Sequence, residues 1–197
     1  MLTSHRLAEV LARVLGLPPE TVRQHLRNLQ APDDRRLISA KGRGRGAAAM
    51  TPLDAARLLL AAVGADFVKD SVAALDAFGD LQPIGRRDPS GATALVSQLA
   101  ALLTRLASEL DEEPAGGRVS NLGLSLMSVA SVDPAGYPRV AILRWGRTGS
   151  GAVSFATAGW DQPVISVADY AARMEHAGLI RERHVTRSAM ERIARAL

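Results

Sequence analysis

Apolar residues recur at helical spacing from the start of the chain. Leu7, Val10, Leu11, Val14 and Leu15 share one face of a segment that opens at Ser4. Ser4 suits a helix N-cap, and Gly16 suits the closing position, because glycine takes the left-handed backbone that ends a helix. Leu17-Pro18-Pro19 forces a turn, with Pro19 fitted to a first helical turn. A second helix is predicted from Glu20 to Leu29, with Val22, Leu26 and Leu29 inward. Two short helices about a glycine-containing turn make a helix-turn-helix. The turn-rich QAPDDRR follows, then Leu37-Ile38, a glycine-rich run, and a returning strand predicted over Ala47 to Met50. Thr51 caps a third helix whose first position is Pro52 and which runs through Leu58, Leu59 and Leu60 to about Val63.

The helical period continues. Asp66 to Phe78 is predicted as one amphipathic helix with Val68, Val72, Leu75 and Phe78 inward, and residues 79–91 read as a linker. A longer helix spans about Gly91 to Glu112. Its Leu95, Leu99, Leu102, Leu103, Leu106 and Leu110 lie close to heptad spacing, which fits either an oligomer seam or a helix buried in its own chain. EEPAGG then breaks the chain and the period changes to two. Leu122, Leu124 and Leu126 alternate with small residues, and RVAILRW and AVSFATA flank turn sequences, giving three antiparallel strands. The last stretch returns to helix: a piece near Val167–His176, then a final helix capped by Thr186 with Met190, Ile193 and Leu197.

Composition narrows the function classes. The chain has 197 residues, 47% hydrophobic and 22% charged, which is a globular balance. No apolar run is long enough to span a bilayer, and MLTSHRLAEV lacks the pattern of a signal peptide, so a cytoplasmic, nucleoid-associated protein without membrane partners is expected. With no cysteine, disulfides and thiolate chemistry are excluded. Charge is uneven. Residues 1–50 hold nine Lys+Arg against four Asp+Glu, net +5. Residues 51–114 hold five against ten, net −5, and residues 115–197 hold ten against six, net +4. Such asymmetry points to a polyanion meeting one end of the chain.

The run K-G-R-G-R-G at 41–46 is the sharpest chemical feature. Gly42, Gly44 and Ala47 literally satisfy a loose dinucleotide fingerprint. That motif needs a buried strand before it and a helix starting on the glycines. Here the preceding apolar stretch is too short and the next helix starts at Thr51, so no nucleotide cofactor is expected. The four histidines are scattered without metal-ligand spacing, so no metal and no catalytic site are expected, and the protein reads as a non-enzyme. At 4% aromatic, the stacking platforms that bind single strands are missing.

LAEVLARVLGLPPETVRQHLRNL, followed by RLI, the basic glycine-rich loop and MTPLDAARLLL, resembles the winged helix-turn-helix regulators of the MarR and ArsR kind over about residues 4–60. The resemblance implies that the second helix of the motif enters the major groove and that a β-hairpin wing reaches the backbone or minor groove. It departs from the pattern in a longer QAPDDRR entry, with Arg36 where glycine is expected. It also lacks a helix ahead of the motif, so residues 66–78 or the C-terminal helix should cover that apolar face. With Val22, Leu26 and Leu29 inward, Thr21, Arg23, Gln24 and Arg27 point outward, where arginine reads guanine and glutamine reads adenine. Lys41, Arg43 and Arg45 are the expected wing contacts, since glycine lets the backbone approach phosphate and arginine enters a narrow minor groove.

The expected fold class is therefore α+β. Residues 1–64 form the winged helix-turn-helix, residues 65–114 a helical oligomerisation region, and residues 115–197 a small α+β domain with a three-stranded sheet and helices. The expected function is sequence-specific binding of double-stranded DNA by a bacterial or phage transcriptional regulator. It would act as a homo-oligomer, a dimer being favoured, with a protein partner through the C-terminal half. The alternatives are a phage-type small terminase (DNA-packaging) subunit and a structural protein that binds no DNA.

Overall fold

The computed structural model describes residues 2–31, 37–40, 49–84, 94–111, 122–129, 138–145, 151–157, 160, 164, 166–174 and 179–197. Helix α1 (Ser4–Leu15) is capped by Thr3 rather than Ser4: the Thr3 hydroxyl accepts from the Arg6 N–H. Thr3 is the residue in extended backbone, and Ser4 already belongs to the first turn. Gly16 closes the helix at φ 66°, a conformation that would strain any side chain. Pro19 opens α2 (Pro19–Gln30), and Thr51 opens α3 (Pro52–Gly64) through a capping box completed by Asp54.

The segment expected as one helix over 66–78 is instead a 3-10 turn (Val68–Asp70) followed by α4 (Ser71–Gly79). Leu75 and Phe78 are buried as expected, whereas Val68 and Val72 are half-buried. Tertiary contacts engage the residues just ahead of the break. The Asp66 carboxylate accepts from both Arg181 and Arg183, and the Arg183 guanidinium also donates to the Gly64 carbonyl at 3.1 Å. These bonds hold the end of α3 and the chain leaving it against the C-terminal half.

Helix α5 (Leu95–Asp111) packs inside its own chain, between α3 and α7 (Arg187–Ala194). Leu95, Leu99 and Leu103 are fully buried there, so this leucine face is spent internally and is not an open oligomer seam. Each such leucine removed from water contributes roughly 2 kcal/mol. The apolar core is continuous from Leu2 through α3, α4 and α5 to Ala194, joining residues from all three parts of the chain.

The sheet has five antiparallel strands where three were expected. β2 (Gly123–Val129), β3 (Val140–Trp145) and β4 (Gly151–Ala156) are the anticipated ones. The additional two are β1 (Gln82–Pro83), within the expected linker, and β5 (Ile180–Thr186), within the stretch expected to be helical. The order is β1-β4-β3-β2-β5. One face, with Leu124, Leu126, Leu143, Phe155 and Val185, joins the main core. The other, with Met127, Val140 and Ile142, is covered by α6 (Val167–Arg173), whose Tyr170 hydroxyl donates to the Pro138 carbonyl at 2.7 Å. Burial pushes that phenol up to about 12. Thr186 caps α7 as expected, its hydroxyl accepting from Ala189 N–H. Among the described residues no helix is long and apolar enough to cross a membrane.

Both candidate covers for the helix-turn-helix are used. α7 packs on α1, while the 3-10 turn and α4 pack on α2. The second contact is polar at its centre. His25 is buried with Nδ1 at 2.9 Å from the Ser71 hydroxyl, which itself donates to the Val68 carbonyl. The hydroxyl proton is thereby committed, so Nδ1–H of His25 is the donor to Ser71. Burial holds the His25 imidazolium below its ordinary pKa of 6.5. The folded state therefore favours neutral His25. Its contribution is complete above about pH 6.5 and is lost as pH falls from there through the depressed folded value. Urea unfolding at pH 7.5 and pH 5.5 should show wild type weaker at the lower pH, and His25→Gln should reduce that difference. An equal pH dependence in the variant would remove His25 as its source.

Candidate nucleic-acid interface

The α1–turn–α2 unit presents one polar face. Val22, His25, Leu26 and Leu29 point inward, so helical geometry sends Glu20, Arg23, Gln24 and Arg27 outward. Gln24 and Arg27 are exposed, whereas Thr21 and Arg23 are half-buried rather than free on the surface. Thr21 sits on the flank nearer the inward positions. Arg23 lies against α1, with Nη2 at 3.9 Å from Glu9 Oε1 and Nη1 at 3.3 Å from Glu20 Oε2. Arg27 bonds to the other oxygen of Glu20. Gln24 donates to Asn28 Oδ1 at 2.9 Å, and Asn28 in turn donates to the Val68 carbonyl at 2.7 Å. The arginines pull the Glu20 carboxyl below its ordinary pKa, Arg27 more strongly than Arg23.

The ends of the basic glycine-rich run are fixed from both sides. On entry, Gln30, the last residue of α2, donates to the Ser39 carbonyl at 3.0 Å. Arg57 of α3 donates to the Leu37 carbonyl at 2.7 Å, and Ile38 is buried. Ser39 N–H donates to Asp54 Oδ1 at 2.9 Å. On exit, Ala49 forms an antiparallel bridge with Thr3, and Met50 N–H donates to the Leu2 carbonyl at 2.8 Å. Of the returning strand expected over Ala47 to Met50, Ala47 and Ala48 lie outside the described residues, and Ala49 bridges to the residue before α1. Lys41, Arg43 and Arg45 lie outside the described residues, as does Arg36.

Three features around this face were not anticipated. Glu20 is the first, although its spacing to Arg23 and Arg27 was readable on a helix. The second is the 3-10 turn beside Asn28, where Phe67 is 66% exposed and Lys69 Nζ stands 5.5 Å from its ring centroid. The third is a groove of about 460 Å³ lined by Leu2, Arg6, Arg195 and Ala196, next to the exit of the glycine run. Elsewhere, buried Ser125 accepts from Arg144 at 3.3 Å and contacts His184 Nδ1 at 3.1 Å. Among the described residues no group of three or more His, Asp or Glu could hold a metal ion. No family model matches the chain, and no curated protein or solved structure matches it.

Proposed function

We propose that this chain is a sequence-specific double-stranded DNA-binding protein, a bacterial or phage transcriptional regulator of the winged helix-turn-helix kind. α2 enters the major groove, and Lys41, Arg43 and Arg45 meet phosphate or the minor groove. The observation that carries the reading is the hydrogen bond from Gln30 to the Ser39 carbonyl. It ties the C-terminal end of α2 to Ser39, two residues before the basic run, which supports a reading in which α2 and the run serve one duplex. Phosphate contacts orient such a protein and base contacts specify its site, and the two residue sets supply one each. The leucine face of α5 is consumed within the chain, so a dimer would form through other surfaces.

Binding of duplex DNA at two salt concentrations, with sites selected from a random pool, tests this. Wild type should bind more weakly as salt rises. Arg23→Ala and Gln24→Ala should each change the selected sequence at one or two positions, a lost base contact being worth about 1–3 kcal/mol of discrimination. Salt-independent binding, or identical selected sequences for wild type and both variants, would remove the reading. Light scattering should give a dimer; a large ring would favour a DNA-packaging subunit.

A further inference from the structure

We infer that Glu20 restrains DNA binding by holding Arg23 and Arg27 of α2 in an internal ion-pair network, which a specific site must displace. The inference rests on the proposed DNA-binding function and concerns how the same face is regulated.

Glu20 lies on the exposed face of α2, one turn before Arg23 and two turns before Arg27. Each of its carboxylate oxygens serves a different arginine: Oε1 takes Arg27 and Oε2 takes Arg23 at 3.3 Å. Arg23 is shared with Glu9 at a longer 3.9 Å. Glu9 is engaged more closely by His5 at 3.0 Å and Arg6 at 3.6 Å, so Glu20 is the main carboxylate offsetting Arg23 and Arg27 on the face that would meet a polyanion. The Arg23 side is the weak point. Its Nε is buried and lacks a hydrogen-bond partner among the described residues, so its present pairing is incomplete. An exposed ion pair is worth little, so the network is cheap to open. A phosphate or guanine edge in the right position offers each arginine a better, bidentate partner.

Physics gives this arrangement a consequence for selectivity. Against any stretch of backbone, a free arginine gains by counterion release, whatever the sequence. An arginine already paired to Glu20 gains only the difference between two partners. Moreover, the carboxylate left behind repels nearby phosphates unless a base donor, such as the cytosine amino group, meets it. Non-specific binding is thereby weakened more than specific binding. Glu20 has a second, structural contribution: an acidic residue in the first turn of a helix favours the helix dipole. That contribution affects folding stability and not the salt dependence of duplex binding, which allows the two to be separated.

The experiment compares wild type, Glu20→Gln, the double variant Arg23→Ala/Arg27→Ala, and the triple variant. Each is titrated with a selected duplex and a scrambled one at several salt concentrations. Glu20→Gln should bind the scrambled duplex about tenfold more tightly at low salt, with its salt dependence steeper by about one to two contacts. The selected duplex should gain less, so the ratio of the two affinities should fall. In the Arg23→Ala/Arg27→Ala background the gain should shrink to the minor part that direct repulsion between the Glu20 carboxylate and phosphate supplies, because the restraint acts chiefly through those arginines. Unchanged or weaker binding by Glu20→Gln, or a gain of the same size without the arginines, overturns the inference while leaving DNA binding intact. Absence of duplex binding by wild type overturns the functional reading beneath it. Thermal unfolding of each variant reports the helix-dipole contribution separately.

Discussion

Replacing Arg43 and Arg45 together by alanine should weaken duplex binding on every sequence by about thirtyfold at 0.15 M salt, and flatten the salt dependence by about two contacts. The magnitude follows from counterion release. Each phosphate neutralised frees about 0.9 of a condensed ion, and release into about 0.15 M salt favours binding roughly fivefold per contact. Two arginines in the glycine-rich run would make two such contacts. The loss should be nearly equal for a selected and a scrambled duplex, because phosphate contacts carry no sequence information. That signature separates the run from α2, where Arg23→Ala and Gln24→Ala should alter preference. Leu37–Ser39 and Ala49-Met50 are held by Arg57, Gln30, Asp54, Thr3 and Leu2, so thermal unfolding of the double variant should stay near that of wild type. A double variant that binds as tightly as wild type would sink the wing assignment. A variant that instead changes the selected sequence would make the run a base reader.

What the sequence made legible depended on how local the cause was. The ends of α1, α2 and α3 are written in adjacent residues: Gly16 needs φ > 0, Pro19 and Pro52 tolerate a first turn, and Thr51 with Asp54 spells a capping box. The inward face of α2 followed from its period, and so did most of its outward face. The two missed strands have non-local causes. β1 is two residues long and exists because Gln82 and Pro83 pair with Ala156 and Phe155 of β4. β5, IRERHVT, lies at the sheet edge and buries only Val185, so it shows no clean alternation. Charged residues are what an edge strand carries to avoid pairing with other chains. The pairing of Asp66, just ahead of the break, with Arg181 and Arg183 was illegible for a related reason, since both come from that same unrecognised strand. At the candidate interface, the Glu20 pairs were within reach of helical spacing. The contact between Arg23 and Glu9 required the packing of α1 on α2.

Asp54→Ala should be strongly damaging near the interface, lowering unfolding free energy by about 2–3 kcal/mol out of the 5–15 typical of a domain. Asp54 is 2% exposed and its carboxylate accepts three hydrogen bonds. Ser39 N–H reaches Oδ1 at 2.9 Å, while Thr51 N–H and the Thr51 hydroxyl both reach Oδ2 at 2.8 Å. Alanine leaves these donors without a protein acceptor and removes half of the capping box; because Thr51 is exposed and Ser39 half-buried, water replaces part of the loss and each bond counts for about 1 kcal/mol. Asp54→Asn keeps one acceptor oxygen and should cost less. Burial alone would push the Asp54 carboxyl up, but the Ser39 and Thr51 donors outweigh it and the net pKa lies below the ordinary 3.8. The folded state therefore prefers the carboxylate. Its stabilisation is present above about pH 3.8, is lost as pH falls through the lower folded value, and should be missing from the acid limb of Asp54→Asn. Chemical unfolding from pH 7 to pH 3 measures both effects. The functional consequence is distinct from the stability loss. Ser39 is the residue through which Gln30 and Asp54 both hold the entry to the basic run. In Asp54→Asn, at temperatures where the fold persists, duplex affinity should fall on all sequences, as it does when the run itself is neutralised. Full affinity in a folded Asp54→Asn would show that the anchoring of Ser39 does not position the run.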